Sequence, residues 1–577
     1  MRKIITGTGG MLLIQTLKDA GVEYLFSNPG SAETGIFAAL AEDGEQRLVV
    51  GKHEGLVAAM ADGYHRMSGK VGVIIAHVMG GSYQLAGQLF NAQVAGSSVL
   101  VIAGDWTSEL QDHRALSPFP GFTQAESMRP LTKEARCAFQ VDTNPAAISV
   151  ATTRALREAT TPPTGPVYLS ISAALLNREG LEVQIGEEAQ YTIEGVPPAR
   201  SQTVEAMARR LGEARCPILI FGDDVWRQGA QAEAVRLAET LEAPVFSTRQ
   251  IFANFPSRHP LYCGVYPVPA EFRKTCGLEP DLLFLAGCAG VQGSVTEPYV
   301  MQIGPNPLLM GRHYPLDVAV QCDLRGTLHD LSLALTRLHP SERVAAWVRQ
   351  RAKVRAYARL LIEREEDVVR EHEHDPIVHP SVLEAQLAEL LPRNTVMVQE
   401  SSTARTTLIP FGHQAMAWTR SGGGSLGFGV GGAIGAKLAV GRDRPVVLHL
   451  GDGALGYSAA GFWTMARYNT AVLTVVSNNE AYQVVRTNWA REMPDSKMVR
   501  EGKYPGIYLS GPAVDYVGLA RSQGVDGERV ATVKELEPAL RRGLDRVTTE
   551  NRPYLIDVTV AREGVGAEST WHQDWQL

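Results

Sequence analysis

Residues 445–479 constrain the chain more than any other stretch. The apolar run PVVLHL at 445–450 stops at a glycine-flanked aspartate, GDG at 451–453. A helix-like segment follows, and a second apolar run, AVLTVVS, ends on Asn478 and Asn479. The order is strand, loop, helix, strand, and in a parallel unit of that kind the carboxyl ends of adjacent strands lie side by side. Asp452 and Asn479 should therefore emerge together. Gly451 and Gly453 let backbone approach a ligand, and the following helix offers unpaired N–H groups and the positive end of its dipole. A diphosphate bridged by a hard divalent cation suits that corner. Magnesium takes carboxylate, amide and main-chain oxygen, which Asp452, Asn479 and the carbonyl of Ala481 supply. On GDG alone, an ordinary strand-to-helix turn is an equally good reading.

A chain of 577 residues is too long for one core and implies three or four domains. Its formal net charge is −7, without a basic run of nucleic-acid type, so no nucleic-acid partner is expected. No apolar run reaches the roughly 20 residues that span a bilayer, and the amino end lacks a signal-peptide pattern. No membrane association and a cytoplasmic location are the expectation. The six cysteines form no CxxC pair, which argues for buried thiols rather than zinc or disulfide frameworks.

From residue 1 to 185 apolar strands alternate with helical patterns, which predicts a parallel sheet covered by helices. A second unit of the same kind runs over 190–345, with strands such as CPILIF and DLLFLAGC. It lacks GxGxxG after its first strand, so a dinucleotide site is not indicated. The mixed-charge stretch around 346–377 reads as an exposed linker helix. HEHD at 372–375 sits on it as solvated surface rather than a metal site, because adjacent helical residues do not face one another. A third unit covers 378–561, and a tail, 562–577, carries Trp571 and Trp575. The fold class is thus α/β, with three doubly wound parallel-sheet domains.

Three residues of the first unit are candidates for chemistry. Glu54 opens a helix, where an exposed glutamate favouring the dipole is the plain alternative. His77 closes the strand VGVII and precedes Val-Met-Gly-Gly, in a catalytic or a structural role. Ser31, in SNPGS, either contacts a ligand or caps the helix beginning AETGIFAAL.

Taken together, Glu54 and GDG…NN make the whole chain resemble the thiamine diphosphate-dependent 2-oxo acid decarboxylase and acetohydroxyacid synthase group, with the benzoylformate decarboxylases as the nearest branch. The resemblance implies a pyrimidine-binding domain (1–185), a central domain (190–345), a linker helix (346–377) and a diphosphate-binding domain (378–561). It also implies a homodimer or homotetramer with active sites at the subunit interface. SNPGSAE matches the family's first active-site loop and puts Ser31 at a substrate-contacting position. Glu54 matches the glutamate that hydrogen-bonds N1′ of the aminopyrimidine, and His77 matches a catalytic histidine at the same spacing. GGSLGFG matches the loop in which Gly424 receives the 4′-amino group and Leu426 holds the cofactor bent. Ser402 and Thr403 fall near the diphosphate, as do Asp452, Gly453, Ala454, Asn479, Ala481 and Tyr482, with Asp452, Asn479 and Ala481 on magnesium.

Departures bear on substrate. Ser294 stands near the place of a second active-site histidine, Ala454 replaces a hydroxyl residue, and Val485, Asn488 and Glu492 replace an apolar wall. The implied substrate is a small 2-oxo acid that is decarboxylated, with carboligation as a companion activity. The alternatives are 2-hydroxyacyl-CoA lyase chemistry, for which the basic stretch Arg486, Arg491, Lys497, Arg500 and Lys503 speaks, and an acetolactate synthase-like carboligase. The segment 486–510, pinned by the tail, reads as a closing lid.

Overall fold

A computed structural model describes residues 3–106, 124–133, 138–141, 143–185, 193, 195–338, 343–412 and 416–573. Three parallel sheets organise the chain. Arg47–Val50, Tyr24–Ser27, Gly72–Ala76, Val99–Asp105, Val167–Ser172 and Ala138–Val141 form the first, in that spatial order. Numbered along the chain, the order is 2-1-3-4-6-5. The Tyr24–Ser27 and Gly72–Ala76 strands are neighbours, and each is continued outward through a different side of the sheet. Their carboxyl ends therefore form the crevice where ligands of open α/β sheets bind. Asn28 and His77 are the residues that follow them.

Contact clustering divides the chain into two compact units, one of residues 1–193, 396–403 and 420–577, the other of 194–395 and 404–419. In the second unit the strands Tyr262–Val265, Val245–Ser247, Pro217–Phe221, Leu282–Ala286, Val300–Gly304 and Val318–Gln321 lie in the order 3-2-1-4-5-6. That is the order of dinucleotide-binding sheets, here without their glycine fingerprint. Asp223 of GDD braces a loop, since its Oδ1 accepts the N–H groups of Ile251 and Phe252 and the amide of Asn254. The helix Arg343–His372 is less exposed than its charge suggests. Val354, Tyr357 and Ala358 are buried in the core of the second unit, because the mixed-charge pattern hides one apolar stripe.

In the first unit, the strands Val396–Glu400, Val446–Gly451, Val472–Asn478, Tyr554–Thr559 and Asp526–Val530 are parallel neighbours in that order. Between this sheet and the first run two helices, Glu54–Ser68 and Phe428–Val440, joined along glycines. A Cβ on Gly435 would stand 2.0 Å from the carbonyl oxygen of Met60, one on Gly63 2.2 Å from that of Gly432, and one on Gly431 2.6 Å from the Ala59 Cβ. Backbone rests on backbone, so both helix starts are fixed relative to each other.

The segment after Asn479 is folded rather than looped. Gln483–Glu492 and Lys497–Arg500 are helical, and Ala481, Tyr504, Ile507 and Tyr508 form a buried cluster against Tyr482, Val485, Met498 and Val499. Arg486 is fully buried, with its guanidinium donating to the carbonyls of Glu563 and Gly566. Arg562 donates to the carbonyls of Asn479 at 2.7 Å and Ser569 at 3.1 Å, and Ser569 Oγ to that of Gly502. Arginines thus tie the tail to this segment. Trp571 is half-buried, and Trp575 lies outside the described residues.

Gly435→Ala should cost about 1–3 kcal/mol, because the new methyl meets main chain that cannot rotate away. The thermal midpoint should fall, whereas Gly441→Ala, at a helix end with open space around its Cβ position, should cost only its positive-φ strain. Equal midpoints for wild type and Gly435→Ala would contradict the glycine contact.

Candidate functional site

The first cluster is built on the crevice of the first sheet. Glu54 is the first residue of its helix, after His53, whose Nδ1 accepts the N–H of Gly55. Its side chain is 6% exposed, which removes the reading of an exposed helix-start glutamate. Asn28 Nδ2 donates to Glu54 Oε1 at 3.0 Å. A Cβ on Gly81 would lie 3.3 Å from Glu54 Oε1 and 3.5 Å from the His77 Cβ, so the two candidates share one wall. Gly30 sits against the His77 ring, where a Cβ would come within 2.1 Å. The SNPGS loop therefore packs directly on the histidine. Ser31 is exposed and begins a short 3₁₀ turn; no side-chain cap bond occurs at that turn or at the helix that follows, so the capping role is not realised.

Sequence reasoning passed over Glu33. It is fully buried, its Oε2 lies 2.9 Å from His77 Nδ1, and its Oε1 accepts the N–H of Gly104. Burial pushes its carboxyl up, opposed by the bonds from His77 and from the N–H groups of Gly104 and Val78. A carboxylate on Nδ1 fixes the ring and leaves Nε2 for a substrate. Val78, with φ of +36°, turns the chain sharply after His77. The available signal was an acidic residue two places after Ser31 in a stretch that is otherwise small and apolar.

The second cluster lies where the last sheet turns into its helices. The Val446–Gly451 and Val472–Asn478 strands pair in register, Gly451 opposite Ser477, which brings Asp452 and Asn479 together as the spacing predicts. The Asp452 carboxylate is 3% exposed and accepts backbone N–H groups of Asp452, Gly453 and Asn479. Burial nevertheless pushes it up to about 7. Asn479 Oδ1 accepts the N–H of Ala481 at 3.0 Å, and its Nδ2 donates to Gln483 Oε1 at 3.2 Å. Tyr482 covers Gly453: a Cβ there would stand 2.5 Å from its ring. Ala454 is buried, and Tyr516 Oη donates to the Asp452 carbonyl at 3.1 Å.

A carboxylate raised by burial, beside an amide and bare backbone, fits a divalent cation with phosphate oxygens on it. Among the described residues no group of three or more His, Cys, Asp or Glu side chains is placed to hold a metal, so any cation here relies on amide and main-chain oxygen.

The remaining candidates divide. Gly424 is exposed with φ of +83°, and Leu426 is half-buried. Ser402 is exposed, while Thr403 Oγ1 pairs with Ser401 Oγ at 3.2 Å. Val485 belongs to the Tyr504–Tyr508 cluster, and Asn488 and Glu492 are exposed on the same helix. Ser294 is an exposed residue of the other compact unit, its carbonyl accepting from Tyr266 Oη at 3.4 Å. Among the described residues no helix is long and apolar enough to cross a membrane.

Three family models match the chain: the thiamine pyrophosphate enzyme N-terminal TPP binding domain over residues 7–126, the central domain over 204–331, and the C-terminal TPP binding domain over 401–558. A benzoylformate decarboxylase of Pseudomonas aeruginosa is 28% identical over 564 residues, covering 94% of this chain and 97% of the relative. A probable acetolactate synthase large subunit of Methanocaldococcus jannaschii is 25% identical, over 96% of this chain and 92% of the relative. Among solved structures, a thiamine diphosphate-dependent 4-hydroxybenzoylformate decarboxylase of Rhodococcus jostii superposes with a TM-score of 0.77 at 24% identity, over 96% of this chain and 99% of that one.

The raised value of Asp452 fixes a sign. Its folded value lies above the roughly 3.9 of an unfolded aspartate. The folded state thus holds the proton more tightly, and the stability so contributed is full below the unfolded value and lost as pH rises toward about 7. In a chelator, the thermal midpoint of wild type should decline from about pH 4 to about pH 7 more steeply than that of Asp452→Asn. Identical slopes would contradict the assignment.

Proposed function

Because the chain belongs to the thiamine pyrophosphate enzyme family, we propose that it is a magnesium-dependent decarboxylase of a small 2-oxo acid, able also to join the resulting acyl unit to an aldehyde or ketone. The observation that carries this reading is the cluster of buried Glu54 with His77, itself held by Glu33 beside the SNPGS loop. The full-length likeness to a benzoylformate decarboxylase supports it.

In this reading Asp452, Asn479 and the Ala481 carbonyl hold magnesium, and the backbone at Gly453 and Ala454, under Tyr482, receives the diphosphate with Ser402 and Thr403 beside it. Bound thiamine diphosphate supplies an electron sink for the pair released when the carbon–carbon bond breaks. With the cofactor bound, Glu54 would hold a proton at N1′ of the aminopyrimidine, the Gly424 carbonyl would accept from its 4′-amino group, and Leu426 would support it from beneath. Ser31 orients the substrate carboxylate. His77, with Nδ1 taken by Glu33, moves a proton at Nε2. Val485, Asn488 and Glu492 follow at spacings of three and four on one helix, so they present one face to the substrate. Each active site takes its Glu54 cluster from one subunit and its Asp452 cluster from another, in a cytoplasmic dimer or tetramer.

The acyl-CoA alternative loses one of its supports. Arg486, counted in the basic stretch, is fully buried and spends its guanidinium on tail carbonyls. Carboligation keeps its support in the acetolactate synthase relative. The tail serves as a strap across the 486–510 segment, and that segment closes over the site.

The test is a panel of 2-oxo acids and 2-hydroxyacyl-CoA esters given to the thiamine diphosphate-loaded protein with magnesium. Carbon dioxide and free aldehyde from an oxo acid are expected; formyl-CoA from an ester, without carbon dioxide release from any oxo acid, would overturn the reading. Glu54→Gln should retain the cofactor and slow its C2 hydrogen–deuterium exchange by about 10²–10⁴, the range of general acid–base roles. Exchange at the wild-type rate would remove Glu54 from that role.

A further inference from the structure

The segment Gly423–Gly429 is gripped at both ends by side chains to which no role has been given. Asn91, fully buried on the Ala86–Ala95 helix, uses every polar atom of its amide on this segment and its support. Its Oδ1 accepts the N–H groups of Gly423 at 2.8 Å and Ser425 at 3.2 Å, with Ser421 Oγ at 3.2 Å. Its Nδ2 donates to the Ser425 carbonyl at 2.8 Å and to Gln88 Oε1 at 2.7 Å. The opposite amide orientation would set an NH₂ against two N–H donors, so the network itself fixes the assignment. Gln88 in turn donates to the Leu426 carbonyl at 2.9 Å.

At the other end Glu400, half-buried, closes its strand. It accepts the N–H groups of Gly427 at 2.9 Å, Phe428 at 3.0 Å and Gly429 at 2.8 Å, the first turn of the Phe428–Val440 helix. All three partners are donors at a helix start, an arrangement made for the ionised form. Burial pushes the carboxyl up to about 7 against those bonds.

Peptide planarity turns these grips into a direction. In a trans peptide the C=O and the following N–H point to opposite sides. The 426–427 peptide obeys this visibly, with its carbonyl on Gln88 and its N–H on Glu400. By the same rule Asn91, holding the N–H of Ser425, turns the carbonyl of Gly424 away from the Ala86–Ala95 helix, on the exposed side of the loop. Close approach is possible because a Cβ on Gly87 would lie 2.6 Å from Ser425 Oγ and one on Gly423 2.5 Å from the Phe90 ring.

We infer that Asn91 is a positioning residue, which with Gln88 and Glu400 aims the Gly424 carbonyl at the aminopyrimidine of the cofactor. The inference rests on the proposed use of thiamine diphosphate. The decisive variant is Asn91→Asp, which keeps size and the three accepting bonds but places an oxygen against the Ser425 carbonyl; Gln88→Met, which removes the bond to the Leu426 carbonyl and the acceptor of one Asn91 N–H while leaving Asn91 on the loop, serves as a milder second. Three quantities are measured: the thermal midpoint without cofactor, the thiamine diphosphate dissociation constant in magnesium by calorimetry, and C2 hydrogen–deuterium exchange at saturating cofactor. Asn91→Asp should weaken binding about tenfold and slow exchange at saturation about ten- to a hundredfold, the scale of a misplaced contact. Gln88→Met should do the same to a smaller degree. A lowered midpoint with saturated exchange at the wild-type rate would make Asn91 a purely structural residue and overturn the inference, as would wild-type behaviour of Gln88→Met together with loss of folding in Asn91→Asp. A wild-type protein that binds no thiamine diphosphate would overturn the functional reading as well.

Discussion

The contact on which both halves of the site depend is the glycine-lined meeting, within one chain, of the Glu54–Ser68 and Phe428–Val440 helices. Backbone carbonyls of Met60 and Gly432 lie where side chains would otherwise stand, so the helices approach more closely than any residue with a Cβ allows. One helix begins with Glu54 and the other directly follows the Gly423–Gly427 loop. A second tie secures the same junction: Arg66 pairs with Asp62 inside the core, donates to the carbonyl of Arg420 at 2.6 Å and lies 4.3 Å from the Phe428 ring centre. Removing one partner of such a buried pair leaves an uncompensated charge, so the junction resists change.

Around that junction the chain repeats one device. Parallel strands end in a carboxylate, or just before one, and the carboxylate is buried with backbone N–H groups as its partners. Asp452 follows its strand and Glu400 ends its own, while Glu33, on the turn after the Tyr24–Ser27 strand, reaches the N–H of Gly104 near the carboxyl end of an interior strand. Burial pushes all three up, and each differs in what balances it. Glu400 has a helix start, Glu33 has His77, and Asp452 has three N–H groups. The differing balance separates three roles: Glu400 is closed on a helix start, Glu33 is taken up by His77 and the N–H of Gly104, and Asp452 is the one proposed to meet a cation.

Much of this was legible in the sequence because it depends on strand ends. A strand of parallel type delivers its last residue to a known edge, so GDG and NN at the ends of apolar runs foretold their meeting, and VGVII foretold His77. What stayed illegible is pairing between distant residues of ordinary appearance. Asn91 sits in an apolar helix and Glu400 in QESST, and nothing local says that both hold one loop. Arg486 reads as one more cation in a basic stretch, yet it is fully buried, since only the fold reveals the tail carbonyls it serves. The Arg343–His372 helix misled for the same reason, its few apolar residues outnumbered by charges that the sequence shows equally.

In the proposed function the Asp452 corner holds a cation and, through it, the cofactor diphosphate. Calorimetric titration of thiamine diphosphate into wild type and Asp452→Ala, each with magnesium and with chelator, tests it directly. Binding by wild type only when magnesium is present, and its loss in Asp452→Ala with the fold retained, is the predicted result. Undiminished binding by the variant in magnesium would contradict the account.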